Sequence, residues 1–229
     1  MTTKYYLGFE ASPELKDCAD RIIANRVTGE PEQYAPIMDE LVKYFVPEVI
    51  DAMMIGVADA VQLSPRTLKI VHSAADTVGK ASGLLVAKLI SKRPNKELEP
   101  LVDYVEETNI PADINSKGVH CIGCEIEQSL YETMQRMMDE VRANNHDQIR
   151  DELHQVMLKV VDIVLEGFML KAVRLLKLNF VMRKLVDATA ATCRGAGHMV
   201  VNKVLRHLDN EQMDRMAEYF DQLIYTAER

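Results

Sequence analysis

The chain has no tryptophan and only eight tyrosines and five phenylalanines in 229 residues, so apolar burial must rest on aliphatic side chains and on its thirteen methionines. No stretch approaches the roughly 20 uninterrupted apolar residues of a membrane span. Even the apolar run 156–182 is broken by Lys159, Asp162, Glu166, Lys171, Arg174 and Lys177. The first residues lack a charged and then apolar signal region, which together with the missing span reads as a soluble, cytosolic protein. Four cysteines, Cys18, Cys121, Cys124 and Cys193, are too few and too scattered for a disulfide scaffold. Basic residues are in the minority, 27 against 35 acidic, and the net charge of −8 argues against general nucleic-acid binding. Also missing are a P-loop, a dinucleotide-binding glycine fingerprint, a Gly-x-Ser-x-Gly elbow and a His-Glu-x-x-His pair. No low-complexity or linker-like run occurs.

What is present is internal repetition. Residues 68–105 align without a gap on 183–220 at an offset of 115, with nine of 38 positions identical. The identities include Lys69/Lys184, Val71/Val186, Ala75/Ala190, Asn95/Asn210 and Tyr104/Tyr219. Upstream the match is looser and requires a shift of three or four residues. Repeats of this kind constrain architecture before any other signal.

The periodicity is helical nearly throughout. Ser12-Pro13 and Ser64-Pro65 each set an oxygen cap before a proline whose missing N–H costs nothing at the first helical position. Asn179, Asn95 and Asn210 are read as further caps. The first helix ends at Gly29, and a short helix from Pro31 to Phe45 is followed, past Pro47, by another to Gln62. The helix from Pro65 to Lys92 spans roughly 40 Å. Its seam, Leu68, Val71, Ala75, Val78, Ser82, Leu85 and Leu89, recurs as Arg183, Val186, Ala190, Cys193, Gly197, Val200 and Val204. Both copies are rich in small residues near the middle, so the two long helices are expected to cross on or beside a pseudo-two-fold axis. The second copy lacks Pro47, and its opening helix is expected to run unbroken from His146 to Leu178.

The expected fold is therefore all-α, an internally duplicated bundle of eight or nine helices in one pseudo-symmetric domain. Its parts are an arm and first helix (1–30), a first unit (31–108), an insert with a connecting helix (109–145) and a second unit (146–229).

Candidate chemistry is sparse. His120-Cys121-Ile122-Gly123-Cys124 reads as a Cys-x-x-Cys at a helix start, where the dipole stabilises a thiolate, with His120 as a third metal ligand. A duplicated helical chain with this motif is similar in outline to the alkylhydroperoxidase-like carboxymuconolactone decarboxylases. The histidine that family carries four residues past the second cysteine is Gln128 here, so no chemistry transfers. His146, Asp147, Asp151 and His154 share a helix face, but the partner set of a di-iron bundle is missing. Cys193 stands where the first copy has Val78, and both it and Cys18 read as core.

His72, Asp76, Thr77, Asp187, Thr192 and His198 are placed to line a ligand cleft if the long helices cross centrally. Lys171, Arg174, Lys177, Arg183 and Lys184 form the one basic run, with no acidic residue between Glu166 and Asp187. The aromatic arm with Tyr5, Tyr6 and Phe9 must dock on its own body or on a partner. These features point to a non-enzymatic regulatory or interaction protein, a homodimer, that receives a protein partner or small apolar ligand in a helical groove. The alternative is a thiol redox enzyme or metal sensor on His120, Cys121 and Cys124.

Overall fold

A computed structural model describes residues 2–28, 34–90 and 93–228. The protein is mostly helical, as its periodicity requires, and also contains a four-stranded sheet that the all-α expectation missed. The chain runs through β1 (Thr3–Glu10), α1 (Pro13–Thr28), α2 (Tyr34–Ile50), a π-helical turn (Asp51–Ile55), α3 (Gly56–Ala60), α4 (Pro65–Ile90), α5 (Asn95–Thr108) and β2 (Asn109–Ile110). It continues through β3 (Cys121–Ile126), α6 (Gln128–Arg142), α7 (His146–Leu165), a second π turn (Glu166–Leu170), α8 (Lys171–Arg174), α9 (Phe180–Lys203), a 3₁₀ turn (Leu205–His207), α10 (Asn210–Leu223) and β4 (Ile224–Glu228). The helix ends read at Gly29 and Lys92, and the start at Pro31, lie outside the described residues.

The strand order is β2-β3-β1-β4, with every pairing antiparallel. At the centre Gly8 faces Gly123. The approach there leaves no room for a side chain, because a Cβ on Gly8 would lie 2.4 Å from the carbonyl oxygen of Ile122. One face of the sheet, with Leu7, Phe9, Ile122, Cys124 and Ile224, joins the helical core. The other, with Tyr6, Ile110, Cys121 and Tyr225, is covered by Ile114 and Val119 of the β2–β3 connection. Asn115 fixes that connection by donating from its amide to the carbonyls of Pro111 and Val119, each at 2.7 Å. Burial on both faces removes the polar/apolar alternation by which a strand is recognised in sequence.

Two expectations about the helices are corrected. Pro47 does not divide α2, which continues through it into the π turn and α3. Nor does the helix from His146 run unbroken to Leu178; it also passes through a π turn and ends at Arg174. In both turns the first N–H past the segment reaches back five residues, Gly56 to Asp51 and Lys171 to Glu166. The caps also differ in detail. Ser12, Ser64 and Asn179 accept from the N–H groups of Leu15, Thr67 and Met182 as read. For α10, however, the cap is Asp209, in a capping box with Gln212, one residue before Asn210. Asn95 likewise lies inside its helix, and its side chain accepts from the N–H of Tyr34.

Element boundaries recur 115 residues apart well beyond the aligned segment. Pro13 and Gln128 open α1 and α6, Asp51 and Glu166 open the π turns, Pro65 and Phe180 open α4 and α9, and Asn109 and Ile224 open β2 and β4. The long helices α4 and α9 pack antiparallel. Val71 and Ala74 meet Ala196, Val200 and Val204 at one end, and Val78 and Ala81 meet Ala190 and Cys193 further along. Small residues let the flanking helices approach: a Cβ on Gly197 would lie 2.6 Å from Val161 of α7, and one on Gly79 would lie 3.4 Å from Ile50 of α2.

Candidate functional site

The four helices α2, α4, α7 and α9 do not close completely on one another. Between them lies a partly open cavity of about 280 Å³. Val42, Phe45 and Val49 of α2 line it, with Val78, Leu85 and Leu89 of α4, Val160, Val161 and Val164 of α7, and Cys193, Gly197 and Val200 of α9. Both π turns contribute, through Met53 and Met54 from one and Phe168 and Met169 from the other. A π turn widens the helix by one residue and rotates the side chains that follow, a device often found at ligand sites. Phe45 and Phe168 meet edge-on at 5.6 Å between centroids, and Phe9 of β1 supports both at 6.5 and 6.2 Å.

Polar groups on the lining are few. Thr108 donates to the carbonyl of Tyr104 at 2.9 Å, and the Ser82 hydroxyl lies 3.8 Å from the Cys193 sulfur. Tyr104 is different: the residue is only 8% exposed, and its hydroxyl has no hydrogen-bond partner. Burial raises its pKa, so the phenol is neutral and available as a donor. An unpaired buried hydroxyl costs about 1–3 kcal/mol, which a ligand acceptor would recover.

The sequence-based cleft residues are not on this lining. His72, Asp76, Thr77, Asp187 and Thr192 are exposed on the outer sides of α4 and α9. The hydroxyls of Thr77 and Thr192 donate to the backbone carbonyls of Ser73 and Ala188. Because α4 and α9 are antiparallel, His72 and Asp187 lie toward opposite ends of the pair. His198 is half-buried, with its Nε2 3.3 Å from Asp162, which also binds Arg194 at 2.8 Å. The residues 115 positions earlier are Pro47, Gly79 and Gly83, so this polar cluster belongs to one half of the chain alone.

The Cys-x-x-Cys does not stand at a helix start. Cys121 and Cys124 lie in β3, and α6 begins at Gln128. Three residues apart on a strand, they face opposite sides of the sheet. The Cys121 sulfur points to the carbonyl of Ile110 and that of Cys124 to Leu7, within separate apolar clusters. Burial pushes the Cys124 thiol up to about 12, with a backbone hydrogen bond and Lys171 only partly opposing it. His120 bonds Asn109 at 2.6 Å, and desolvation lowers its pKa. The three residues therefore do not converge on one metal or form one redox pair. Among the described residues no group of three or more histidine, cysteine or carboxylate side chains converges on a metal position.

The aromatic arm is β1, the sheet strand between β3 and β4. Tyr6 and Phe9 are buried there, and Tyr5 stacks on Tyr131 at 4.5 Å, so the arm docks on its own body. The basic run divides. Lys171 pairs with Glu107 and Arg174 with Glu166, whereas Lys177, Arg183 and Lys184 are exposed. Sequence reasoning passed over both Tyr104 and the exposed Leu84, Phe180 and Val181. Tyr104 carried a signal, since it is one of the nine identities between residues 68–105 and 183–220.

Comparison with known protein families, curated proteins and solved structures gives no match to this chain.

Proposed function

We propose that the protein is a non-enzymatic binding protein for a small, largely apolar molecule carrying one polar acceptor, held in the central cavity with that acceptor on the Tyr104 hydroxyl. The observation that carries this reading is the pairing of an aliphatic cavity of about 280 Å³ with one buried, unpartnered phenol on its wall. A dry cavity of about 150 Å³ already takes up a benzene-sized guest. Methionines on both π turns suit an adaptable pocket, since thioether side chains repack at low cost.

We further infer that the protein is two copies of one β-α-α-α-α-β unit related by a pseudo-two-fold axis. The axis would pass between Gly8 and Gly123 in the sheet and between Gly79 and Arg194 where α4 crosses α9. In this reading the segment taken as an insert, with β3 and α6, is the second copy's counterpart of β1 and α1. The copies intertwine, because β2 pairs with β3 and β4 with β1. Duplication accounts for the cavity, since each copy supplies one π-interrupted helix and one long helix to its wall.

The test is titration with 1-aminoanthracene, an apolar fluorophore with one amine. Saturable binding to a single site is expected, weakened at least tenfold by Val164→Phe and by Ser82→Leu, two lining positions on different helices. If either variant keeps its circular dichroism spectrum and its full affinity, the cavity is not the site.

A further inference from the structure

Charge is distributed unevenly in this acidic chain. The long helices α4 and α9 contain eight lysines and arginines against two aspartates, a net +6, which leaves −14 for the remaining residues. Arg194 is paired with Asp162. The other seven cations are exposed, and none makes an ion pair among the described residues.

Among the described residues, the most exposed large apolar side chains lie on the same two helices. Leu84 is 67% exposed, Phe180 69% and Val181 72%. The antiparallel packing brings them to one end, the C-terminal half of α4 beside the first turn of α9. Arg93 reaches the carbonyl of Lys177 there at 3.3 Å. Lys80 and Lys88 flank Leu84 at helical spacings of four, and Arg183 and Lys184 lie two and three residues past Val181. The Lys184 ammonium sits 4.5 Å above the Phe180 ring, so a cation and an aromatic face are presented together.

We propose that this end of the α4/α9 face docks on the surface of an anionic lipid bilayer. Phe180, Val181 and Leu84 enter the headgroup boundary while the surrounding lysines and arginines engage lipid phosphates and carboxylates. Long basic side chains can lie along apolar surface and keep their charge at the headgroups, which reconciles the two features in one patch. The combination favours a lipid surface over the other occupants. A nucleic acid backbone would use the cations and leave three large apolar side chains in water. A symmetric dimer through this face would oppose two surfaces of like charge. The proposal does not depend on the cavity, although a membrane is a natural source of an apolar ligand.

The experiment is co-sedimentation of the full chain with vesicles, either phosphatidylcholine alone or phosphatidylcholine with roughly a third phosphatidylserine. Binding is expected only to the anionic vesicles, reduced at least tenfold by Arg183→Glu with Lys184→Glu, and again by Phe180→Ser with Val181→Ser. Raising salt from about 0.1 M to about 0.5 M should weaken it further as the headgroup field is screened. All four positions are exposed, and an unchanged circular dichroism spectrum and urea midpoint for both double variants would show that the fold is intact. The proposal is overturned by equal binding to neutral vesicles, by binding to neither, or by anionic binding that both double variants retain. Retardation of a DNA duplex that Phe180→Ser leaves unchanged, without vesicle binding, would assign the face to nucleic acid instead. A dimer dissolved by Phe180→Ser with Val181→Ser, again without vesicle binding, would assign it to a second copy.

Discussion

The hydroxyl of Tyr219 donates a 2.9 Å hydrogen bond to the carbonyl oxygen of Ala52 in the first π turn. A π turn shifts the helical ladder by one residue and leaves carbonyls without their usual partner. Gly56 makes the contact possible, since a Cβ there would lie 2.1 Å from the Tyr219 oxygen. Tyr219→Phe should cost about 1–2 kcal/mol of unfolding free energy, because it strips the donor from a buried carbonyl. Gly56→Ala should cost a similar amount by displacing the tyrosine. Urea denaturation of both variants and of the double variant tests this. The double variant should cost less than the sum, because the two changes break one contact.

Tyr104 stands 115 residues before Tyr219 and has no such acceptor. Tyr104→Phe should therefore leave unfolding free energy unchanged or raise it by about 1 kcal/mol, the reverse of Tyr219→Phe. Its effect should appear in binding. Affinity for a long-chain alcohol should fall about tenfold while affinity for the matching hydrocarbon holds, which competition against 1-aminoanthracene can measure. A loss of stability equal to that of Tyr219→Phe would mean that the Tyr104 hydroxyl already has a partner.

These two tyrosines also show how far the sequence could be read. Their identity at the 115 offset was visible, as was the long helix pair, because aliphatic seams with period 3.6 survive in a single sequence. The π turns were not visible, since one extra residue per turn shifts the phase of the apolar pattern without breaking it. The shift between the α2 and α7 regions arises upstream of the π turns, which themselves start 115 residues apart. The sheet was hidden for another reason. β1 and β3 are buried on both faces around Gly8 and Gly123, so neither alternates. The Cys-x-x-Cys, read as a helix start, is the strand that follows from this. The cavity was only half legible: Met53, Met54 and Phe45 are ordinary core residues in sequence, and a void exists only once four helices are placed. Phe180 and Val181 were counted within an apolar run, and only the position of α9 shows them facing outward.

The glycines separate close approach from accident. Gly8→Ala should cost about 3 kcal/mol, since its Cβ would meet the backbone of Ile122 and Gly123, which the central strand pairing holds in place. Gly83→Ala and Gly195→Ala should each stabilise by about 0.5–1 kcal/mol, because a Cβ there meets no atom within 4 Å and alanine favours the helix. Thermal and urea unfolding of the three variants should give opposite signs for the two groups.

The thiols of β3 should behave as core groups. At pH 8 iodoacetamide should leave Cys121 and Cys124 unmodified in the native protein and label both in urea, since both sulfurs are shielded in the core and burial also suppresses the Cys124 thiolate. A mild oxidant should not join them, as their side chains lie on opposite faces of one strand. The Cys124 thiol is raised in the fold above its unfolded value, so its contribution to stability is full below about pH 8.5. That contribution is lost progressively as pH rises toward about 12. Cys124→Ala should flatten this part of the stability profile.

His120 sets the acid side of the same profile. Desolvation lowers its pKa in the fold, and Asn109 at 2.6 Å accepts from the neutral ring. Below the unfolded value of about 6.5 the unfolded chain binds a proton that the folded one does not. Stability is therefore present above that pH and declines as the pH falls toward the lowered folded value. His120→Gln keeps a donor within reach of Asn109 and removes the titration. It should leave stability at pH 8 within about 1 kcal/mol of the parent and reduce the loss between pH 6.5 and 5. Unfolding free energies at three pH values decide the matter: a variant whose decline matches the parent would show that the folded and unfolded chains bind protons at His120 equally.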